Sequence, residues 1–214
     1  NGDADNYYRL AQHSEVGSTL KGKDDVSLVA KKDVRIRQSN IGSEKGNVLI
    51  GSQQGDIQVE AGREEEQLAS ASKSVSRGRF GLSKTTEIRR HEHDIVQSVS
   101  SNIDGKTVNL IAGQGNVTVQ GSNVVGENGL TVQAKNIDIK EAENKFYSDD
   151  FHSKNKSGML GRGLGVTFGA QKQTLESDKT KFYAQGSQVG SLNGNVTLIA
   201  ENQRRRCKYS GEKS

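Results

Sequence analysis

Residues 39–62 read SNIGSEKGNVLIGSQQGDIQVEAG and contain the pattern that the rest of the chain repeats. Two runs, NVLIG and DIQVEA, alternate apolar and polar residues and are separated by short polar spacers that end in glycine. Alternation places Val48 and Ile50 on one face of the first run, and Ile57 and Val59 on one face of the second. The stretch therefore predicts short, half-buried β-strands joined by tight turns.

The same pattern returns at Ser122 and at Ser187, each followed by an apolar run, and in all three copies a glycine stands seven residues after the serine. A fainter copy begins at Ser18, which lies 21 residues before Ser39. That spacing fits three short strands with their turns, which is one rung of a solenoid. We predict an all-β chain in which rungs stack and bury aliphatics such as Val48, Val117 and Val196 in a narrow core.

Composition supports a thin, repetitive structure. Apolar residues make up 31% of the 214 residues and aromatic residues 5%, too few for a wide globular core but enough for a few aliphatics per rung. There is no proline, which would interrupt a strand ladder, and there are 25 glycines for turns. The net charge of +4 is spread over 30 basic and 26 acidic residues, so no nucleic-acid partner is predicted.

No signal peptide is visible at Asn1, and no run approaches the roughly 18 apolar residues of a membrane helix. We therefore expect a piece of a longer repetitive protein. The single cysteine, Cys207, can form no disulfide within the chain.

Two polar insertions interrupt the rungs, at about residues 63–105 and 143–186. Each has two polar arms around a glycine-containing centre, SRGRFG in the first and KSGMLGRGLGVTFG in the second. We predict a single β-helix domain over residues 1–202, in which both insertions form long β-hairpins that project from the same side. A helix over residues 64–73 is the alternative for the first arm. Residues 1–16 are expected to be a ragged edge or an incomplete rung, and residues 203–214 a basic, disordered tail.

The repeats NVTVQGSNV and NVTLIAEN, together with the glycine-rich centre of the second insertion, resemble the haemagglutinin-repeat region of filamentous haemagglutinin and of related two-partner secretion exoproteins. That group includes the exoproteins of contact-dependent growth inhibition. The resemblance spans roughly residues 18–202 and implies a right-handed parallel β-helix. It also implies secretion through an outer-membrane partner pore and display at the surface of a Gram-negative cell.

His91 and His93 are the candidate metal ligands, because alternate residues of a strand point to the same face. Their setting on a polar arm, without a nearby cysteine, favours ordinary surface residues, and we predict neither a metal nor a cofactor. No GxSxG, HExxH or phosphate-loop motif occurs, and the carboxylates have no partners that would separate their pKa values. We therefore predict no catalytic residues and no enzymatic activity.

The glycine-rich centre of the second insertion is the candidate contact surface, with an apolar tip for a membrane or another protein. Its candidate residues are Met159, Leu160, Arg162, Leu164, Val166 and Phe168. The alternative is that the tip folds back on the rungs or forms a flexible turn.

The resulting functional hypothesis is a stalk and adhesion segment that meets a receptor, glycan or outer membrane of a target cell. The alternative is a region that engages the target-cell outer membrane to deliver a C-terminal toxin. A β-helical polysaccharide lyase is disfavoured, because no cluster of charged residues recurs on one face of successive rungs.

Overall fold

The computed structural model of the protein describes residues 5–78, 81–160 and 167–201. These residues form β1 (Tyr7–Ser14), β2 (Thr19–Gly22), β3 (Val26–Ala30), β4 (Val34–Arg37), β5 (Asn40–Ser43), β6 (Val48–Ser52), β7 (Ile57–Glu60), β8 (Gly62–Arg77), β9 (Ser83–Val99), β10 (Asn102–Ala112), β11 (Val117–Gln120), β12 (Asn123–Ala134), β13 (Ile137–Lys140), β14 (Ala142–Leu160), β15 (Thr167–Gln185), β16 (Gln188–Ser191) and β17 (Asn195–Ala200). Within these ranges, no helix is long and apolar enough to cross a membrane. The predicted basic tail and Cys207 lie outside the described residues.

The strands fall into two compact units, each described by itself. The rung unit comprises Glu15–Gly62, Ser98–Ala142 and residues 185–201. The hairpin unit comprises residues 5–14, Arg63–Gln97 and Glu143–Ala184 within the described ranges.

The rung unit is built from parallel strands that return to the same position about once per repeat. Its larger sheet has the strand order β16-β12-β10-β5-β2, with β17, β6 and β3 continuing the same rungs, and its smaller sheet has the order β13-β11-β7-β4. Successive rungs are thus β2-β3-β4, β5-β6-β7, β10-β11, β12-β13 and β16-β17. This arrangement confirms the predicted all-β class and the parallel β-helix.

Aliphatic side chains stack in columns because every rung pairs with the next one in register. One column consists of Val26, Val48, Val108, Leu130 and Val196. A second consists of Leu28, Ile50, Leu110, Val132 and Leu198. On the smaller sheet, Val34, Ile57, Val117 and Ile137 form a third. Val48 and Val196 therefore share a column, whereas Val117 belongs to a column on the other sheet.

Burial is complete only where a rung has neighbours on both sides. Val48 and Val108 are 0% exposed, whereas Val196, in the last described rung, is 45% exposed. Each fully buried valine, leucine or isoleucine contributes about 1.5–3 kcal/mol. A rung thus buries its apolar face only by stacking on other rungs.

A serine marks the corner at which each rung begins, and these serines are joined by hydrogen bonds from rung to rung. The backbone N–H of each serine donates to the hydroxyl oxygen of the next, at 3.0–3.3 Å, in the order Ser18, Ser39, Ser101, Ser122 and Ser187. The hydroxyl in turn donates to a backbone carbonyl, as Ser101 Oγ does to Glu60 O at 2.6 Å. The serine hydroxyl thus satisfies the N–H of the preceding corner serine and gives a second hydrogen bond to a carbonyl such as that of Glu60, which also accepts one from the N–H of Gln38.

The residue before a corner serine can require left-handed backbone. Gly121, before Ser122, has φ of 56°, and a Cβ at that position would lie 2.4 Å from the Cβ of Ala142. Gln38, before Ser39, has φ of 49°. The corner therefore turns sharply, and glycine suits it because it has no side chain to clash.

Stacked amides add a second ladder along the rungs. Asn123 Nδ2 donates to Asn102 Oδ1 and Asn102 Nδ2 donates to Asn40 Oδ1, both at 2.8 Å. These side-chain hydrogen bonds link successive rungs at the polar edge of the core. They form in the same strand register as the aliphatic columns.

The hairpin unit is a single antiparallel sheet with the strand order β1-β8-β9-β14-β15. The first insertion supplies β8 and β9 and the second supplies β14 and β15. They join where β9 pairs with β14, from Val96 opposite Lys145 to Ser83 opposite Gly158. The predicted hairpins thus lie side by side in one sheet.

Three expectations about these segments are corrected. Residues 64–73 are extended in β8, so the helical alternative is wrong. Residues 7–14 form β1 instead of a ragged edge or incomplete rung, because β8 supplies the hydrogen-bonding partner that their sequence pattern did not reveal. Residues 102–105, counted with the first insertion from the sequence, belong to β10 and pair with β5 and β12 in the rung unit.

We predict that Val117→Asp lowers the free energy of unfolding by about 3–5 kcal/mol, because it places an unpaired charge in a column where Val117 is 0% exposed. Gln58→Asp is the matched control, since Gln58 lies on the outward face of the neighbouring strand, opposite Arg35. Thermal and urea melts followed by circular dichroism measure both. An unchanged melt for Val117→Asp would contradict the β-helix.

We predict that Ser101→Ala destabilises the rung unit by about 1–3 kcal/mol, because it leaves the partly buried N–H of Ser39 without its partner and removes one of the two hydrogen bonds that the carbonyl of Glu60 accepts. Ser27→Ala, at an exposed position of β3, should have no measurable effect. Urea melts of the two variants compare them. Equal stability of the two proteins would show that the corner hydroxyls do not hold the rungs together.

Candidate functional site: the hairpin sheet

The hairpin sheet is the candidate functional site because its strands do not belong to the stack of rungs. Its strands alternate side chains between two faces, so residues directly opposite each other on neighbouring strands share a face. The register between β9 and β14 places His91 opposite Asp150, and Arg90 opposite Phe151. The two faces are therefore chemically different.

On one face, a row of polar side chains crosses four strands. His91 Nδ1 lies 2.6 Å from Asp150 Oδ1, and His93 Nε2 lies 3.0 Å from Glu66 Oε1. Glu66 also accepts a hydrogen bond from Gln12 Nε2 at 2.7 Å. The row thus links β1, β8, β9 and β14 through side chains, in addition to the backbone ladder.

The two histidines contact each other within this row. Their rings are T-shaped, with centroids 5.5 Å apart and His93 Nδ1 at 3.4 Å from His91 Nε2. An ionised carboxylate only accepts hydrogen bonds, so the nitrogens that face Asp150 and Glu66 carry the protons. The carboxylates consequently orient both rings and hold the sheet across β8, β9 and β14.

Hydrogen bonds lower the pKa of two carboxyl groups on this face. Those from Gln12 and then from His93 lower the pKa of Glu66 below its ordinary value of 4.5. Those from Arg89 and then from His152 lower the pKa of Glu87 in the same direction. In both cases a donor stabilises the ionised form.

The opposite face carries pairs of a cation and an aromatic ring. The guanidinium carbon of Arg90 lies 5.3 Å from the centre of the Phe151 ring, and Lys145 Nζ lies 5.9 Å from that of Tyr147. Burial raises the pKa of the Tyr147 hydroxyl, and the negative charge of Asp149 adds to the effect. This face therefore presents aromatic surface beside fixed charges.

One cross-strand pair on this face consists of two like charges. Glu92 lies directly opposite Asp149, and like charges in that position destabilise a sheet. Among the described residues, one carboxylate oxygen of Asp149 is buried without a hydrogen-bond partner. The sheet thus carries local electrostatic strain near its centre.

An open groove of about 470 Å³ lies along the sheet. Its walls combine Arg89, His91 and Asp150 with Leu175. Deep, enclosed pockets suit small ligands. An open groove with mixed charged and apolar walls fits an extended peptide or a glycan better.

The predicted contact surface is only partly within the described residues. Arg162, Leu164 and Val166 lie outside them, and Met159 and Leu160 fall in β14 at positions whose side chains are not described. Phe168, at the start of β15, is 72% exposed. Further apolar side chains of β15 are also exposed, namely Leu175, Phe182 and Tyr183.

The predicted metal candidates lie together, as alternation on a strand requires. The described residues contain no group of three or more His, Cys, Asp or Glu side chains placed to hold a metal ion. Glu66 and Asp150 instead face the nitrogens that point away from the histidine pair.

Sequence reasoning missed Glu66 and Asp150 as partners of His93 and His91, and Gln12 as a donor to Glu66. The three residues come from separate strands and lie 25 or more residues from His91 and His93 in the chain. Only the register between strands brings them together. The alternation of His91 and His93 was the available signal, and it identified the face but not its partners.

Comparison with known proteins accounts for these features. The profile of the Hemagglutinin repeat family matches residues 7–89 and 82–203. The chain belongs to the haemagglutinin-repeat family. The two matches divide near the tip of the first hairpin, so each of them spans rungs together with hairpin strands.

Several proteins named for nuclease activity share this region. The tRNA nuclease CdiA of Yersinia mollaretii is 35% identical over 162 residues, which is 70% of this chain and 5% of that protein. The tRNA nuclease CdiA-2 of Burkholderia pseudomallei is 28% identical over 190 residues, 87% of this chain and 6% of that protein. The 16S rRNA endonuclease CdiA of Enterobacter cloacae is 35% identical over 159 residues, 69% of this chain and 5% of that protein. No solved structure matches the chain.

This chain therefore spans about a twentieth of the length of these relatives. Members of the haemagglutinin-repeat family of this kind are secreted and displayed at the surface of Gram-negative cells, and the chain is a segment of such a large exoprotein. The haemagglutinin-repeat region that it represents is structural.

We predict that Glu66→Gln lowers the melting temperature at neutral pH and has no effect in strong acid. The folded-state pKa of Glu66 lies below 4.5, so its ionised form adds stability above that value. This stability is lost as the pH falls through the lowered folded-state pKa. Melts of wild type and variant across this pH range measure the change.

Glu176→Gln, at an exposed position of β15, is the control for this comparison and should track wild type at every pH. A difference between Glu66→Gln and wild type that stayed constant from neutral to acid would contradict the role given to the His93 and Gln12 hydrogen bonds.

Proposed function

We propose that this segment is a stalk and adhesion region of a secreted exoprotein, and that it acts in contact between the producing cell and a target cell. The observation that carries the proposal is the division of the chain into a regular stack of rungs and a sheet of hairpins with exposed apolar side chains. Under this proposal, the rungs supply mechanical support and the hairpins supply the contact surface.

The rung unit supports the stalk role through its bonding pattern. Its backbone hydrogen bonds run from rung to rung, as do those of the corner serines. Pulling two neighbouring rungs apart would break many backbone hydrogen bonds between them at once. The columns that include Val48 and Val108 further resist separation, because parting the rungs would expose them to water.

The hairpin unit supports the adhesion role through its exposed surface. Phe168 is 72% exposed and Leu175 is 68% exposed, and both lie on β15. Exposed aromatic and apolar groups are typical of contact surfaces. The partner under this proposal is a receptor, a glycan or the outer membrane of a target cell. The whole exoprotein would reach the surface through an outer-membrane partner pore.

The proposal gives this segment no catalytic role, no bound cofactor and no nucleic-acid partner. The nuclease activities are in the names of relatives of which the chain covers 5–6%. Carboxylates of the hairpin unit hold His91 and His93 in cross-strand contacts and Arg89 in a contact along its own strand, which accounts for them structurally.

A second candidate function is delivery of a toxin across the target-cell outer membrane. The observation that favours it is that the relatives are named as nucleases of tRNA or 16S rRNA, substrates that lie inside cells. A surface region of such a protein has to take part in contact with the recipient cell, and the same hairpins would then engage its outer membrane.

Removing residues 156–169 tests which function the hairpins serve. We predict that the intact chain binds outer-membrane vesicles or whole cells and that deletion of this segment reduces binding at least about tenfold, because it removes the apolar end of the second hairpin. Deletion of residues 77–82, the corresponding part of the first hairpin, is the matched control. Sedimentation with labelled protein measures binding.

The same proteins, tested with vesicles that contain a dye, distinguish adhesion from toxin delivery. Binding without dye release supports adhesion, whereas binding with release that needs residues 156–169 supports delivery. If neither the intact chain nor the deletion variant binds vesicles or cells, the contact role is wrong and this region is a spacer.

A further inference from the structure

The strands of the hairpin unit follow an alternation that extends beyond a single hairpin. An outgoing strand is one that follows the smaller sheet of the rung unit, as β8 and β14 do, and a return strand is one that leads to a corner serine. The return strands are β1, which leads to Ser18, β9, which leads to Ser101, and β15, which leads to Ser187. In the order β1-β8-β9-β14-β15, the return strands β1 and β9 are each followed by the outgoing strand of the next hairpin.

The two junctions between hairpins that the chain contains have the same register. His13, five residues before Ser18, pairs with Glu65, eight residues after Ile57. Val96, five residues before Ser101, pairs with Lys145.

The position of Lys145 matches that of Glu65 in the repeat. Lys145 lies eight residues after Ile137, and Ile57 and Ile137 both pair with Val117 in the same column. Both junctions are antiparallel and have the same offset, although their side chains differ. The register is thus a property of the repeat and not of one pair of strands.

The third return strand has no such partner among the described residues. β15 is an edge of the sheet, 19 residues long. Phe182, five residues before Ser187, is 62% exposed, whereas its counterpart Val96, with strands on both sides, is 6% exposed. A long edge strand with exposed aromatic side chains is a template for pairing with another strand.

Charge indicates what kind of strand fits this edge. If an outgoing strand paired with β15 in the register of the two existing junctions, Lys181 would lie opposite the residue nine positions after the start of the smaller-sheet strand that precedes that outgoing strand. In the first hairpin that residue is Glu66, which follows Glu64 and Glu65. A lysine opposite a glutamate is a favourable cross-strand pair.

We propose that the free edge of β15 docks the outgoing strand of a further haemagglutinin repeat of the same polypeptide. That strand would run antiparallel, with Phe182 opposite the residue eight positions after the counterpart of Ile57. The hairpin sheet would then continue from repeat to repeat. This inference concerns assembly and holds whether the surface serves adhesion or delivery.

An extended chain tests the proposal in a single polypeptide. Ser52, Ala112, Ala134 and Ala200 share one column, so a second copy of residues 53–120 can follow Ala200 and continue the rung in phase. This extension supplies an outgoing strand with the sequence of β8 and a return strand. It also omits Cys207, the only native cysteine.

Cysteine pairs report the register in this extended chain. The expected pair is Phe182→Cys with Glu65→Cys of the appended copy, and the control is Phe182→Cys with Gln67→Cys of that copy. Opposite residues have Cα atoms about 4.5–5.5 Å apart, within disulfide reach, whereas diagonal ones are farther apart. We expect the first pair to oxidise at least about tenfold faster than the second.

The outcomes of that experiment are distinct. Rapid, concentration-independent oxidation of the first pair supports the proposal. Equal rates for the two pairs, no oxidation in a chain whose circular dichroism shows it folded, or disulfide-linked dimers in place of an internal bond would overturn it. Dimers would show that the edge binds a second copy instead.

If the extended chain does not fold, the proposal is tested by binding of a synthetic peptide of residues 62–77 to the native full chain. Successive N–H groups of a strand point toward opposite sides of that strand. Of the variants Lys179→Pro and Thr180→Pro, one therefore loses a hydrogen bond to β14, and the other loses a donor only at the free edge. The thermal melt identifies the edge variant as the one that stays stable.

Fluorescence polarisation of the labelled peptide then gives the answer. We expect the peptide to bind the native chain and to bind the stable proline variant at least about tenfold more weakly, because a proline on the edge removes a hydrogen-bond donor. Binding no stronger than that of a scrambled peptide, or equal binding to the stable proline variant, would overturn the proposal.

Discussion

The register between successive rungs is the constraint on which the structure depends. A single rung has too few apolar side chains to form a core, so Val48, Ile50 and Ile57 become fully buried only because the rungs before and after present aliphatics at the same positions. A slip of one residue would turn every one of these side chains to the outside. The corner serines oppose such a slip, because each N–H finds the next hydroxyl only when the rungs are aligned.

The hairpin sheet follows a different physical logic. Its strands are antiparallel, and a large part of the surface of β15 is exposed, so burial contributes less to this sheet than it does in the rungs. Cross-strand contacts contribute instead, such as His91 with Asp150 and Arg90 with Phe151. These contacts lie on a surface, where water and salt weaken them. The opposed carboxylates of Glu92 and Asp149 show that this sheet is not optimised for stability alone, as is common where a surface is used for contact.

The rung unit could be predicted from the sequence because its signal is local and repeated. Alternation located the strands around Val48 and Ile57, and the recurring serine located the corners. The glycine seven residues after each serine was a poorer guide, since Gly46 and Gly194 precede their columns by two residues and Gly129 precedes its column by one. The hairpin contacts could not be predicted in the same way. His93 meets Glu66 only because β8 and β9 pair in one register, and polar arms carry no apolar pattern that would reveal it.

The separation of the two kinds of constraint explains how one repeat can serve many surfaces. Core columns restrict the residue type at positions such as Val108 and Leu130, and the corner restricts Ser101 and Ser122, but neither restricts the outward side chains of the arms. Each arm must preserve its strand register and the number of residues between its paired positions and the rung. Both junctions between hairpins keep this register although one pairs His13 with Glu65 and the other pairs Val96 with Lys145. Backbone pairing thus fixes the geometry of the sheet, and the outward side chains are left free to vary.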